Sequence, residues 1–121
     1  DEFQKILADN TKLLEECVAD LRATFPDVIT GRRGIDMSCA LVVTKKDENG
    51  NDVPDGDGTF KILYRAYERG LLIISLSENI LPPLNIRPEN LKKGFAILKD
   101  SIRDYVNGDI PDSVMEFRAG W

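Results

Sequence analysis

Three stretches of this chain repeat apolar residues every three or four positions, and each does so on one side only. The first runs through Phe3, Ile6, Leu7, Leu13, Leu14, Cys17, Val18, Leu21 and Phe25. The second has Phe60, Leu63 and Tyr67, with Ile62 and Ala66 beside them, and the third has Leu91, Phe95, Leu98, Ile102 and Val106. Such spacing marks amphipathic helices, whose apolar stripes need another element to cover them. Pro26 closes the first, because the residue before a proline avoids the helical region. Thr59 is the expected N-cap of the second and Gly70 its stop. Pro88 opens the third with Glu89 near its positive end, and Asn107-Gly108 ends it.

The strands between them are few. Val28-Ile29-Thr30 is a short β-prone piece, and Ile35 to Thr44 ends in the continuous apolar run Ala40-Leu41-Val42-Val43. Leu71 to Leu76 is the strongest strand signal, and a further apolar piece is broken by Pro82-Pro83, which cannot donate ladder hydrogen bonds. Ile110 to Trp121 has no periodicity. The order helix, strand, strand, helix, strand, short strand, helix predicts an α+β fold. Its sheet would be small, three- to four-stranded, mixed or antiparallel, with helices on one face.

Composition narrows the function. The 121 residues suit one domain over 1–121, and 42% apolar content suffices for a core. A net charge of −5 without a basic cluster argues against a nucleic-acid or anionic-membrane partner. No apolar run approaches the roughly 18 residues of a membrane span, and no signal peptide is visible. Cys17 and Cys39 read as buried thiols of a reduced, cytoplasmic protein. The chain has no histidine. Ser-His-Asp and Cys-His catalysis, histidine metal ligation and a histidine pH switch are therefore closed to it. Asp1 stands directly before a running helical pattern with no capping turn expected, as in a segment of something longer.

Each remaining candidate has a plainer reading. Asp47, Asn49 and Asn51 have the spacing of a calcium loop, but Asp52 stands where glycine is needed and Gly58 where a bidentate Glu is needed. A solvated hairpin loop is expected instead. Gly31-Arg32-Arg33-Gly34 offers two guanidinium groups but matches no phosphate-binding pattern, and reads as a turn whose arginines pair with acids. The lysines and arginines of the helices alternate with acids, as on a solvated face, and none sits where its pKa would fall. Tyr64, Tyr67 and Tyr105 read as packing residues. No catalytic, cofactor-binding, substrate-binding or metal residue is assigned.

One pattern goes further. Thr59 to Ile74 contains Glu68-Arg69-Gly70-Leu71-Leu72-Ile73, followed by Pro82-Pro83-Leu84-Asn85-Ile86, and then Leu91, Gly94, Ile97-Leu98 and Ile102. This resembles the C-terminal small domain of class III aminotransferases, a family that includes 4-aminobutyrate and ornithine aminotransferases. Arg33-Gly34 is similar to the family's "RG" element ahead of its hairpin. The resemblance implies a domain beside the active site of a longer, usually homodimeric pyridoxal-phosphate enzyme, packed on that enzyme's large domain. The parent would move an amino group from an amino acid, such as 4-aminobutyrate, to a 2-oxo acid. The Schiff-base lysine, the Asp facing the pyridine nitrogen and the phosphate-binding residues precede this domain in the family. The segment alone is therefore expected to hold no cofactor and to be inactive.

The chain departs from the family where the domain would add chemistry. The family places an Arg for a substrate carboxylate between the Asn and the Pro-Pro, whereas here Asn79-Ile80-Leu81 runs directly into Pro82. Arg87 lies beyond the Pro-Pro and does not inherit the role. A Cα spacing of roughly 3.8 Å from Leu81 to Pro82 would mark a true deletion rather than a gap. Asp36 stands where a glycine is common. The alternative reading is a free-standing α+β interaction or ligand-binding domain without catalysis.

Overall fold

Helix α1 spans Glu2–Thr24 in the computed structural model, which describes residues 1–34, 40–71 and 87–118. Asp1 caps it: its side chain accepts a 2.8 Å hydrogen bond from the Gln4 N–H. The carboxylate satisfies an otherwise orphan donor at the positive end of the helix, so the expected lack of a cap is corrected. Leu14, Val18 and Leu21 are buried along the expected stripe, whereas Phe3 and Ile6 are 52% and 38% exposed. The stripe outruns the core at this end.

Strand β1 (Ile29–Arg33) pairs antiparallel with β2 (Ala40–Lys46), which pairs antiparallel with β3 (Asp52–Pro54), in the order β1-β2-β3. The register passes from Ile29↔Val43 to Gly31↔Val42, leaving Thr30 as a bulge whose hydroxyl lies 3.0 Å from that of Thr44. Gly31, Arg32 and Arg33 are strand residues rather than the expected turn. Pairing with Val42, Leu41 and Ala40 places their backbone in the ladder, and a glycine beside a bulge is an ordinary way to bend a strand. The loop after β2 is the expected hairpin, with the short β3 on its far side. Asp47 Oδ1 accepts from the N–H groups of Asn49 and Asn51 at 2.8 and 2.9 Å, and Gly50 takes a positive φ of 81°.

Helix α2 (Gly56–Glu68) starts earlier than expected, because Asp55 rather than Thr59 is the cap. It ends as the sequence indicates. Gly70, at φ 97°, bonds to the Tyr67 carbonyl, and the Leu71 N–H bonds back to Ala66 at 2.8 Å, which is a Schellman motif. Helix α3 (Pro88–Val106) carries Pro88 in its first turn and buries Leu91, Phe95, Leu98 and Ile102. Two aromatic or apolar positions assigned to stripes lie outside: Tyr67 is 61% and Val106 51% exposed. Both sit in the last turn of their helix. The tail also departs from expectation, with a 3₁₀ helix over Asp112–Arg118 and Ile110 and Val114 buried against Phe60.

The main core unites α1, α2 and α3 with Ile29, Leu41 and Val43. Leu41 and Val43 alternate along β2 and so share one face of the sheet, the face the helices cover. The fold is α+β, with a three-stranded antiparallel sheet among the described residues. Cys39, Asp36, the apolar stretch beyond Leu71, the Pro82-Pro83 piece and the Leu81–Pro82 junction lie outside the described residues.

Candidate functional site

Polar side chains converge most tightly at the start of α2. Asp55 is 3% exposed. Its carboxylate accepts a 2.8 Å hydrogen bond from the Gly58 N–H, and the Tyr105 hydroxyl of α3 donates to its other oxygen. A Cβ at position 58 would stand 2.5 Å from the Tyr105 hydroxyl and closer still to the Asp55 carboxylate, so only glycine fits there. Burial, and then the hydrogen bond to Asp55, push the Tyr105 hydroxyl well above the ordinary tyrosine value. The pair joins two helices.

A second group ties the same helices together farther along. Arg65 and Arg69 both donate to Asp104 Oδ2 at 2.8 Å, and Arg65 reaches the Asp109 carbonyl at 3.1 Å. The Arg69 hydrogen bond foremost holds the Asp104 carboxyl below the usual carboxylate range. Lys61 pairs with Asp112 at 2.5 Å and so fastens the 3₁₀ tail, while Phe117 stacks on Tyr64 with ring centres 5.5 Å apart. Arg65 and Arg69, expected on a solvated helix face, are thus inter-helix anchors, because Asp104 of α3 lies within reach of both.

The third feature is a groove of about 380 Å³ between α1 and α3, with Leu13, Cys17 and Leu21 on one side and Phe95 and Ala96 on the other. Asp20 and Lys99 pair at 2.8 Å at its rim. Cys17 is the free thiol among the described residues. Burial, then the carboxylates of Asp20 and Glu16, raise its pKa, so it is a poor nucleophile. Arg32 lies 3.7 Å from Glu15 in the expected arginine–acid pairing.

No group of three or more His, Cys, Asp or Glu side chains among the described residues could hold a metal ion. Asp47, the first position of the calcium-like stretch, spends an oxygen on its own loop's N–H groups. Pyridoxal phosphate does not fit the described residues either. Its attachment needs a lysine held in a dry setting with its amine free, yet Lys5, Lys12, Lys45, Lys92 and Lys93 are exposed, and Lys46, Lys61 and Lys99 are bound to acids. No described helix is long and apolar enough to cross a membrane. Sequence reasoning missed Asp55 because Gly56 and Gly58 weaken a helical pattern. The available signal was an Asp three residues ahead of a position that gives up its N–H.

Comparison with known proteins places this architecture. The chain is 38% identical over 68 residues to a leucine/methionine racemase of Thermococcus litoralis, covering 54% of the chain and 15% of that protein. It is 35% identical over 71 residues to an isoleucine 2-epimerase of Lentilactobacillus buchneri, covering 56% and 16%. It is 31% identical over 94 residues to an alanine/serine racemase of Pyrococcus horikoshii, covering 74% and 19%. Among solved structures it superposes on lysine aminotransferase from M. tuberculosis with a TM-score of 0.70 at 16% identity, covering 86% of this chain and 22% of that one. No family model matches. The chain thus spans under a fifth of the length of these curated relatives, and its fold recurs as one portion of an aminotransferase chain.

Proposed function

We propose that this chain is the C-terminal small domain of a longer pyridoxal-phosphate enzyme that acts on amino acids. The observation that carries the reading is the superposition of 86% of the chain on 22% of an aminotransferase chain. The Glu68-Arg69-Gly70-Leu71 and Pro82-Pro83-Leu84 motifs support it. The domain's own contribution is structural. Its helices, locked together by Asp55–Tyr105 and by Asp104 with two arginines, present a rigid body to the rest of the enzyme, which supplies the Schiff-base lysine and the cofactor contacts. The cofactor serves as the electron sink. The parent is read as a cytoplasmic homodimer.

Two reactions fit that frame. The aminotransferase resemblance favours transfer of an amino group from a 4-aminobutyrate-like donor to a 2-oxo acid. The names of the three sequence relatives favour inversion at the α-carbon of an apolar or small amino acid instead. The lack of an Arg between Asn79 and Pro82 removes the group the resemblance would assign to a substrate carboxylate. The test is to express the complete reading frame, supply pyridoxal phosphate, and assay L-leucine and 4-aminobutyrate with and without a 2-oxo acid. D-leucine formed without a 2-oxo acid supports inversion, and 2-oxo-acid-dependent loss of donor supports transfer. Neither product, or a reading frame with no large domain, overturns the proposal in favour of a free-standing binding domain.

A further inference from the structure

The groove between α1 and α3 carries two acid–lysine rungs, and only one of them is closed. Asp20 of α1 and Lys99 of α3 pair at 2.8 Å. Four residues earlier on α1 stands Glu16, and seven residues earlier on α3 stands Lys92, so each lies on the same side of its helix as the paired residue. Both line the groove and both are exposed, and neither forms an ion pair among the described residues. They act on the same spot all the same: after burial and Asp20, Glu16 raises the pKa of the Cys17 thiol and Lys92 lowers it.

Beside this open rung the groove is apolar. Leu21 and Phe95 are 1% and 8% exposed, and Leu13 and Cys17 are half-buried. The cavity of about 380 Å³ lies within the size range of small-molecule sites. Its charges decide what suits it. A covering protein surface would have to strip water from Glu16 and Lys92 as well as from the closed pair, a heavy cost for any ion left without a partner. A fatty acid would satisfy Lys92 alone, and an aliphatic amine Glu16 alone. A small molecule with an ammonium and a carboxylate on one carbon, and a short apolar chain beside them, satisfies both charges and the apolar lining together.

We propose that the α1–α3 groove binds an apolar α-amino acid as its zwitterion. The ligand's ammonium donates to the Glu16 carboxylate, and its carboxylate accepts from the Lys92 ammonium, closing the second rung as Asp20 and Lys99 close the first. Its side chain lies on Leu13, Leu21 and Phe95. The two polar contacts are charge-assisted but exposed, so binding is weak, and selectivity comes from the need for all three parts of the ligand at once. No bond is made or broken. This inference does not rest on the enzymatic reading, because binding is read at the groove itself without cofactor or turnover.

Titration of the 121-residue chain with L-leucine, followed residue by residue by NMR, tests it. Saturable shifts confined to α1 around Leu13 and Cys17 and to α3 around Lys92 and Ala96 are expected, with a dissociation constant of about 1–10 mM. Isovalerate lacks the ammonium, 3-methylbutylamine lacks the carboxylate, and glycine lacks the apolar chain; each should bind about fivefold more weakly or worse. Glu16→Gln and Lys92→Gln should each weaken L-leucine about fivefold and leave the rest of the spectrum unchanged, both positions being exposed. Ala96→Phe, which fills the groove from an exposed position, should abolish binding. No saturation below about 50 mM, isovalerate or the amine binding as tightly as L-leucine, or shifts that persist in Ala96→Phe overturns the proposal.

Discussion

The molecule has two apolar clusters, and they are held by different means. The larger one gathers residues from all three helices and from β1 and β2, and apolar volume alone closes it: Leu14, Leu41, Ile62 and Ile102 are wholly inaccessible. The smaller one has only Phe60, Ile110 and Val114 at its centre. Three residues cannot order a tail by burial, given the entropy of fixing it. Polar contacts surround it accordingly: Asp55 with Tyr105, Arg65 with Asp104 and the Asp109 carbonyl, and Lys61 with Asp112. A large cluster makes secondary structure stable, and a small one needs fixed donors and acceptors to have a single geometry.

Four changes probe that contrast, beginning where most should be lost. Ile102→Ala empties a wholly buried position of the large cluster and should cost about 3–4 kcal/mol in urea unfolding monitored by circular dichroism. Loss of under about 1 kcal/mol would mean that this cluster is not the closely packed one. Gly58→Ala drives a methyl into the Asp55–Tyr105 contact, and a cost of about 2–3 kcal/mol is expected, combining steric displacement with loss of the cap. Hydrogen exchange should locate that damage in the first turn of α2 and in the tail, before α1 or the sheet. Uniform loss of protection would erase the distinction between the clusters.

Tyr105→Phe removes one donor from a buried carboxylate that keeps the Gly58 N–H, and should cost about 1 kcal/mol at neutral pH. It has a second signature. The folded-state pKa of Tyr105 lies above the ordinary 10.0 of a free tyrosine, so its contribution is complete below pH 10 and is lost as pH rises beyond. The variant should therefore lack part of the parent's alkaline loss of stability, and identical alkaline limbs would remove Tyr105 from the account. Asp104→Asn should have the smallest effect at neutral pH, because Arg69 is substantially exposed and solvent screens the pair. Its sign is opposite on the pH axis. A carboxyl held below its ordinary 3.8 stabilises at higher pH and loses that contribution as pH falls through the folded value. The acid limb of the parent's stability curve should flatten in the variant. An unchanged limb would assign the α2–α3 contact to packing alone.

Much of this was legible beforehand, and the failures share a cause. Periodicity located α1, α2 and α3, and glycine and proline located their ends, because those signals depend on the local backbone. The α+β fold expected from the order of the elements recurs as one portion of an aminotransferase chain. Periodicity erred at Phe3, Ile6, Tyr67 and Val106, each of which fits a stripe yet faces out. A stripe says which side of a helix turns inward, not how far along it the neighbours extend. The strand character of Gly31-Arg32-Arg33 and the docked tail were missed because each depends on a partner distant in sequence, residues 40–42 and Phe60, whereas the Asp55 cap is local and was hidden by the weak helical pattern of Gly56 and Gly58.

By itself, then, the sequence determined three one-sided helices, a hairpin loop over the calcium-like spacing, and a lack of histidine chemistry, since these follow from residue type and spacing. Tertiary structure alone decided that Asp55 and Tyr105 meet across two helices and that Gly58 must have no side chain. It also decided that Arg65 and Arg69 share one carboxylate, and that the stripe of α1 runs past its own core. Residues far apart in the chain have no spacing rule between them, so only the packing of one helix on another can bring them to hydrogen-bonding distance or leave them facing water.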